Sequence, residues 1–234
     1  LIWKSKKKSL VSYKCRIRTM NLKVLAEEYY NALQASHYAK EKAFISLCFQ
    51  TRMEQQFETV KLRLHLIDSL YSTQMSKRHY GLEELAKALA TYSDEHLIVE
   101  SEKYLTTGIS DILQSLFYEK YGYNAVGQKE KKAVSLISKY LYFLTTYQFP
   151  IYDSLVKISY REVICDFGIK PEYTKITDAN FVQALSELNQ LSEINNFEKL
   201  DNYLWYTQKL KMESYSLIFS KEKHLNKLRQ KIKH

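Results

Sequence analysis

Reversing a polypeptide in a tight turn calls for residues that accept a positive φ or carry a fixed one, and this chain is poor in both: five glycines and two prolines in 234 residues. That is about 3% of the chain, where roughly 12% is usual. The shortage excludes collagen-like, linker-rich and low-complexity readings. It also argues against an all-β sandwich, whose many short strands each need a turn. The expected fold is all-α.

A helical chain still needs apolar area to pack, and here 45% of residues are hydrophobic and 14% aromatic, with 20 tyrosines among them. No apolar run approaches the roughly 18 residues of a membrane span, so no membrane partner is expected. Cys15, Cys48 and Cys165 are odd in number and far apart. They suggest neither a disulfide framework nor a paired metal site, and a reducing, cytoplasmic setting fits them best.

The formal net charge of +9 resembles a nucleic-acid signal until it is divided along the chain. Residues 1–19 hold seven bases and no acid, and residues 221–234 hold six bases and Glu222, so the tails carry +7 and +5 and the intervening segment −3. Basic tails add phosphate affinity, or are simply solvated ends. The first segment lacks the apolar stretch of a secretory signal, and Met20 offers a natural start, in which case the charge before it has no functional weight.

Apolar residues recur at helical spacing from Leu22 to Phe49, with Leu22, Leu25, Tyr29 and Leu33 on one stripe, as one long helix or two in succession. A helix is predicted from Gln56 to Leu70, burying Phe57, Val60, Leu64 and Ile67, and a short one follows Gly81. Further helices are predicted near Ile109 to Tyr118, Lys131 to Leu144, Ser154 to Cys165, Asp178 to Leu191 with Asp178 as N-cap, and Leu200 to Gln230. Loops are expected at Tyr121 to Gly127, Tyr147 to Pro150 and Phe167 to Tyr173, where most of the glycine and proline is found. No repeat or polar linker divides residues 20–220.

The familiar signatures GxGxxG, GxxxxGK[ST], HExxH, GxSxG and CxxC are missing, and the six histidines show no ligand spacing. No metal or other cofactor is expected. Three segments carry more information together: LIDSLYSTQM (Leu66 to Met75), LISKYLYFLTTYQFPIYDSLV (Leu136 to Val156) and LDNYLWYTQKLK (Leu200 to Lys211). In this order they resemble the helix-hairpin-helix DNA glycosylases, the superfamily of the endonuclease III-like and archaeal 8-oxoguanine enzymes. LYSTQ at Leu70 to Gln74 is similar to the LSAQ or LSQQ that ends an early helix there, and IYDSLV at Ile151 to Val156 is similar to VDTHV or IDRHI. The resemblance covers roughly residues 60–210. The family's glycine-rich hairpin is represented only by AVGQKEKKA with Gly127, the position of its Schiff-base lysine falls near Ser135, and the iron-sulfur loop of some members is absent.

The resemblance implies two helical lobes, residues 60–130 forming one and residues 20–59 with 131–220 the other, and a cleft between them where Gln74, Lys139 and Asp153 converge. It implies double-stranded DNA bearing a damaged or modified base as partner, and hydrolysis of that base's N-glycosidic bond. A base drawn from the stack leaves a gap, and Gln74 at a helix-to-turn transition is suited to fill it, with Ser72 beside it; a turn glutamine is the plain alternative. Asp153 would stabilise positive charge at the sugar, or only cap the next helix. Lys132, Ser135, Lys139 and Tyr142 fall on one helix face that could meet a DNA backbone, or be merely solvated, and Lys139 is the candidate nucleophile or phosphate contact. Tyr142 and Tyr152 are candidates for stacking on an extruded base, although the abundance of Tyr suggests a general use in packing, and Trp205 is expected to be buried between helices. The competing reading is a non-enzymatic helical interaction or accessory protein, its motifs being ordinary caps and turns.

Overall fold

The computed structural model describes residues 21–34, 36–50, 56–129 and 131–212. Nine α-helices lie within them: α1 Leu22–Gln34, α2 His37–Gln50, α3 Gln56–Tyr71, α4 Gly81–Leu89, α5 Asp94–Thr107, α6 Asp111–Tyr118, α7 Val134–Leu144, α8 Ser154–Asp166 and α9 Phe181–Leu191. A tenth, α10, runs over residues 197–212, and a 3-10 turn occupies Met75–Lys77. The described residues contain two isolated bridges and no strand, so the fold is all-α. No helix among them is long and apolar enough to cross a membrane. The basic tails and the predicted extension of the last helix to Gln230 lie outside the described residues.

The helices form where period and caps agree. The stretch from Leu22 to Phe49 resolves into two helices, and the Ser36 amide donates to the carbonyl of Leu33 at the join. Ser93, Ser110 and Asp153 each accept a backbone N–H at the start of α5, α6 and α8. The expected cap Asp178 is displaced: Asn180 stands at the N-cap of α9, and Asp178 pairs with Lys132 at 2.9 Å. Helix α5 is absent from the sequence reading because its apolar positions are weakly periodic, and the Ser93 cap was its available signal.

One apolar core runs without interruption from Leu22 to Leu204. At its centre is α7, packed by α2, α3, α5 and α6, and every residue from Leu136 to Leu144 is buried. This corrects the expectation of a solvated, DNA-facing side on that helix: Lys139 and Tyr142 point into the interior, where their hydrocarbon area is removed from water. The helix also begins at Val134, so Lys132 precedes it. Tyr121, Tyr140, Tyr142, Tyr160 and Tyr203 are fully buried, as a chain that packs with tyrosine should show. Of the cysteines in the described residues, Cys48 is a free thiol and Cys165 is disulfide-bonded, a departure from the expected absence of bridges.

The α6–α7 connection is built around the Arg78 guanidinium, which donates to the carbonyls of Tyr121, Lys131 and Lys132. Within it Gly122 has a φ of +74°, and a Cβ there would stand 2.7 Å from the Gly81 Cα. Both the dihedral and the space demand glycine. Gly122→Ala is expected to cost about 2–4 kcal/mol, read by urea denaturation; a loss within error of zero would show that the loop relaxes freely.

Candidate functional site

The turn that ends α3 is organised by a carboxylate. Asp68 accepts from the Thr73 hydroxyl and from the backbone N–H groups of Met75 at 2.7 Å and Ser76 at 2.9 Å. Burial by itself would raise its pKa, but these hydrogen bonds outweigh it and hold the carboxyl below its usual value. The clamp fixes Ser72 and Gln74 in left-handed backbone at φ 51° and 61°. Such geometry is uncommon for residues other than glycine and is retained only where the surroundings enforce it.

Farther along, the loop between α7 and α8 is pinned to α7. The Tyr152 amide donates to the Ser138 hydroxyl at 3.0 Å, and the next residue, Asp153, caps α8 by accepting from the Val156 amide at 2.8 Å. The second carboxylate oxygen of Asp153 lies 3.8 Å from Lys139 Nζ. That ammonium is only 3% exposed, donates to Ser135 Oγ at 2.8 Å and lies 5.6 Å from the centre of the Tyr71 ring. Burial lowers the Lys139 pKa, and the negative charges of Asp153 and Asp201 restore only part of the loss.

Asp153 opens onto a cleft of about 380 Å³ whose walls include Tyr38 and Lys42 of α2, Tyr71 and Ser72 at the end of α3, and Trp205 and Lys209 of α10. The volume is that of a small-molecule site. Tyr38 stacks on Trp205 with ring centres 4.9 Å apart, and its hydroxyl lies 3.3 Å from that of Tyr71. Lys42 donates to Glu198 at 2.5 Å and to the Tyr142 hydroxyl at 2.6 Å, a second ammonium in the cleft wall. The cleft lies where the segment 60–130 meets the rest of the chain, through Tyr71 and Ser72.

The predicted site residues divide into two groups. Asp153 and Ser72 line this cleft, and Lys139 stands behind Asp153 with Ser135 as its hydrogen-bond acceptor. Gln74 is exposed and lines a different groove of about 420 Å³, with Lys77, Arg78 and Lys131, so the amide and the carboxylate do not share one cavity. Lys132 is engaged by Asp178 and by the Tyr118 ring at 4.3 Å. Tyr142 is sealed in the core with its hydroxyl held by Lys42, and Tyr152 packs on Phe181 with ring centres 5.1 Å apart. Neither tyrosine is among the residues lining the cleft.

Sequence reasoning missed Tyr38, Lys42, Tyr71 and the carboxylates of α10. Trp205, expected in the interior, is half-buried and forms part of the cleft wall. Among the described residues no group of three or more His, Cys, Asp or Glu comes together in a metal-holding arrangement. No known protein family, curated protein or solved structure matches this chain.

Proposed function

We propose that this protein is a DNA glycosylase-like enzyme, which draws a damaged or modified base out of a duplex and hydrolyses its N-glycosidic bond with Asp153. The observation that supports this most is the pair Asp153 and Lys139, separated by 3.8 Å at the edge of a cleft with aromatic walls. Cleavage builds positive charge at the sugar, and a fixed carboxylate stabilises that charge or activates the attacking water. Lys139 stands beside one oxygen of Asp153 while the start of α8 holds the other, so the carboxylate is fixed in orientation. Tyr38, Tyr71 and Trp205 offer the flat apolar surface on which a base can rest. The separate groove around Gln74 is lined by Lys77, Arg78 and Lys131, cations suited to phosphate contacts.

The test is incubation with duplexes bearing uracil, 8-oxoguanine, alkylated purines or abasic sites. Excision or lesion-selective binding is expected for at least one, and binding should persist after deletion of residues 1–19. Inactivity and indifference across all four would refute the reading. A second reading, a helical interaction protein without catalysis, is favoured by the −3 charge of residues 20–220, a poor surface for a polyanion. It expects binding only through the tails, abolished when they are removed.

A further inference from the structure

Beside the cleft, charged groups of both signs are gathered, some buried and some partly exposed. Three carboxylates, Asp153, Glu198 and Asp201, meet two ammonium groups, Lys42 and Lys139. The lysines are each committed, Lys42 to Glu198 at 2.5 Å and Lys139 to Asp153 at 3.8 Å. Asp201 is 8% exposed, and among the described residues no cation stands within ion-pair distance of it. It shares a face of α10 with Glu198, three residues earlier, and its other side meets Pro150, Ile151, Val156 and Leu204. A lone charge in such surroundings is strongly disfavoured, and the cheapest remedy is a proton.

We infer that Asp201 takes up a proton as pH falls through neutrality, leaving Asp153 as the carboxylate paired with Lys139, and that this ionisation links the cleft's affinity for anions to pH. The groups facing it are Tyr38 and Lys42 on α2, Tyr71 on α3, Lys139 and Tyr142 on α7, Asp153 before α8 and Glu198 on its own helix. The three tyrosines stay neutral because burial raises their pKa values, so they offer no compensation. Desolvation first, and the charge of Asp153 second, lift the Asp201 carboxyl to about 7, with Lys42 and Lys139 opposing. With the proton on, two cations balance two anions. With the proton off, the cluster is net negative and repels a phosphate approaching the cleft. Asp201 therefore acts as a positioning residue, through Lys139 and Asp153, and this consequence rests on the nucleotide reading of the cleft.

The sign of the linkage is distinctive. A carboxyl whose pKa is raised on folding holds its proton in the folded state after the unfolded chain has lost it, so stability declines from about pH 4 to about pH 7 and then levels. Urea denaturation of the full chain and of Asp201→Asn from pH 4 to 9 should show near-equal stabilities at the acid end. A gap should open as pH rises, the variant's unfolding constant becoming smaller by at least about tenfold at pH 8. A gap that does not change with pH, or that favours the parent at pH 8, overturns the inference. Should the variant fail to fold, carbon NMR of the parent's carboxyl groups decides: one buried carboxyl titrating above pH 6 is expected, and none would overturn it. Affinity for an abasic-site duplex should fall more steeply from pH 6 to 8 in the parent than in the variant, and equal slopes would remove the coupling to the cleft. Absence of duplex binding at every pH would refute the glycosylase reading, and the two titrations would still settle the proton on Asp201.

Discussion

Arg63→Ala is expected to remove about 3–5 kcal/mol of stability. The guanidinium is 1% exposed and joins three helices: it donates to both Asp94 oxygens at the start of α5, at 2.8 and 3.0 Å, to the Cys48 and Phe49 carbonyls at 3.2 Å near the end of α2, and to the Tyr140 hydroxyl of α7 at 3.3 Å. It also stacks over the Phe49 ring at 4.6 Å. Truncation opens a cavity and leaves the Tyr140 hydroxyl and two carbonyls short of a donor; Asp94, at 29% exposed, recovers part of its solvation. Arg63→Met restores the volume without the donors, so the difference between the two variants separates packing from hydrogen bonding. A urea midpoint shift worth less than about 1 kcal/mol for Arg63→Ala would show that the three helices are held without this side chain.

If the cleft acts as proposed, Asp153→Asn is expected to lower excision at least about 100-fold while leaving the start of α8 capped. Asparagine is as good an N-cap as aspartate, so the bond from the Val156 amide survives and α8 still starts in place. What disappears is the negative charge beside Lys139 and the cleft. The substitution therefore isolates chemistry from capping, whereas Asp153→Ala removes both and should cost about 1 kcal/mol in addition. Excision at the parent's rate by Asp153→Asn, with the fold intact, would leave Asp153 a cap and nothing more.

The sequence by itself determined the fold class. Helical periodicity located most helices, and the capping chemistry of Asp153 was legible because it is local, spanning the three residues to Val156. The loops at Tyr121 to Gly127 and Tyr147 to Pro150 could be read from their glycine and proline for the same reason. The pairing of Lys139 with Asp153 was half visible, since the order of the segments singled out both residues but gave no distance. Only the tertiary structure decided which face of α7 is interior: a polar stripe of Lys132, Ser135, Lys139 and Tyr142 looks solvated on a helical wheel. Four helices packed on α7 left Lys139 and Tyr142 no solvent. The cluster joining Lys42 to Glu198, 156 residues away, and Tyr38 to Trp205 arises from chain crossings that no local pattern encodes. Periodicity reports how each helix partitions between water and apolar surroundings, whereas the charge balance of a buried cluster depends on which helices meet, and that is set by packing of the whole chain.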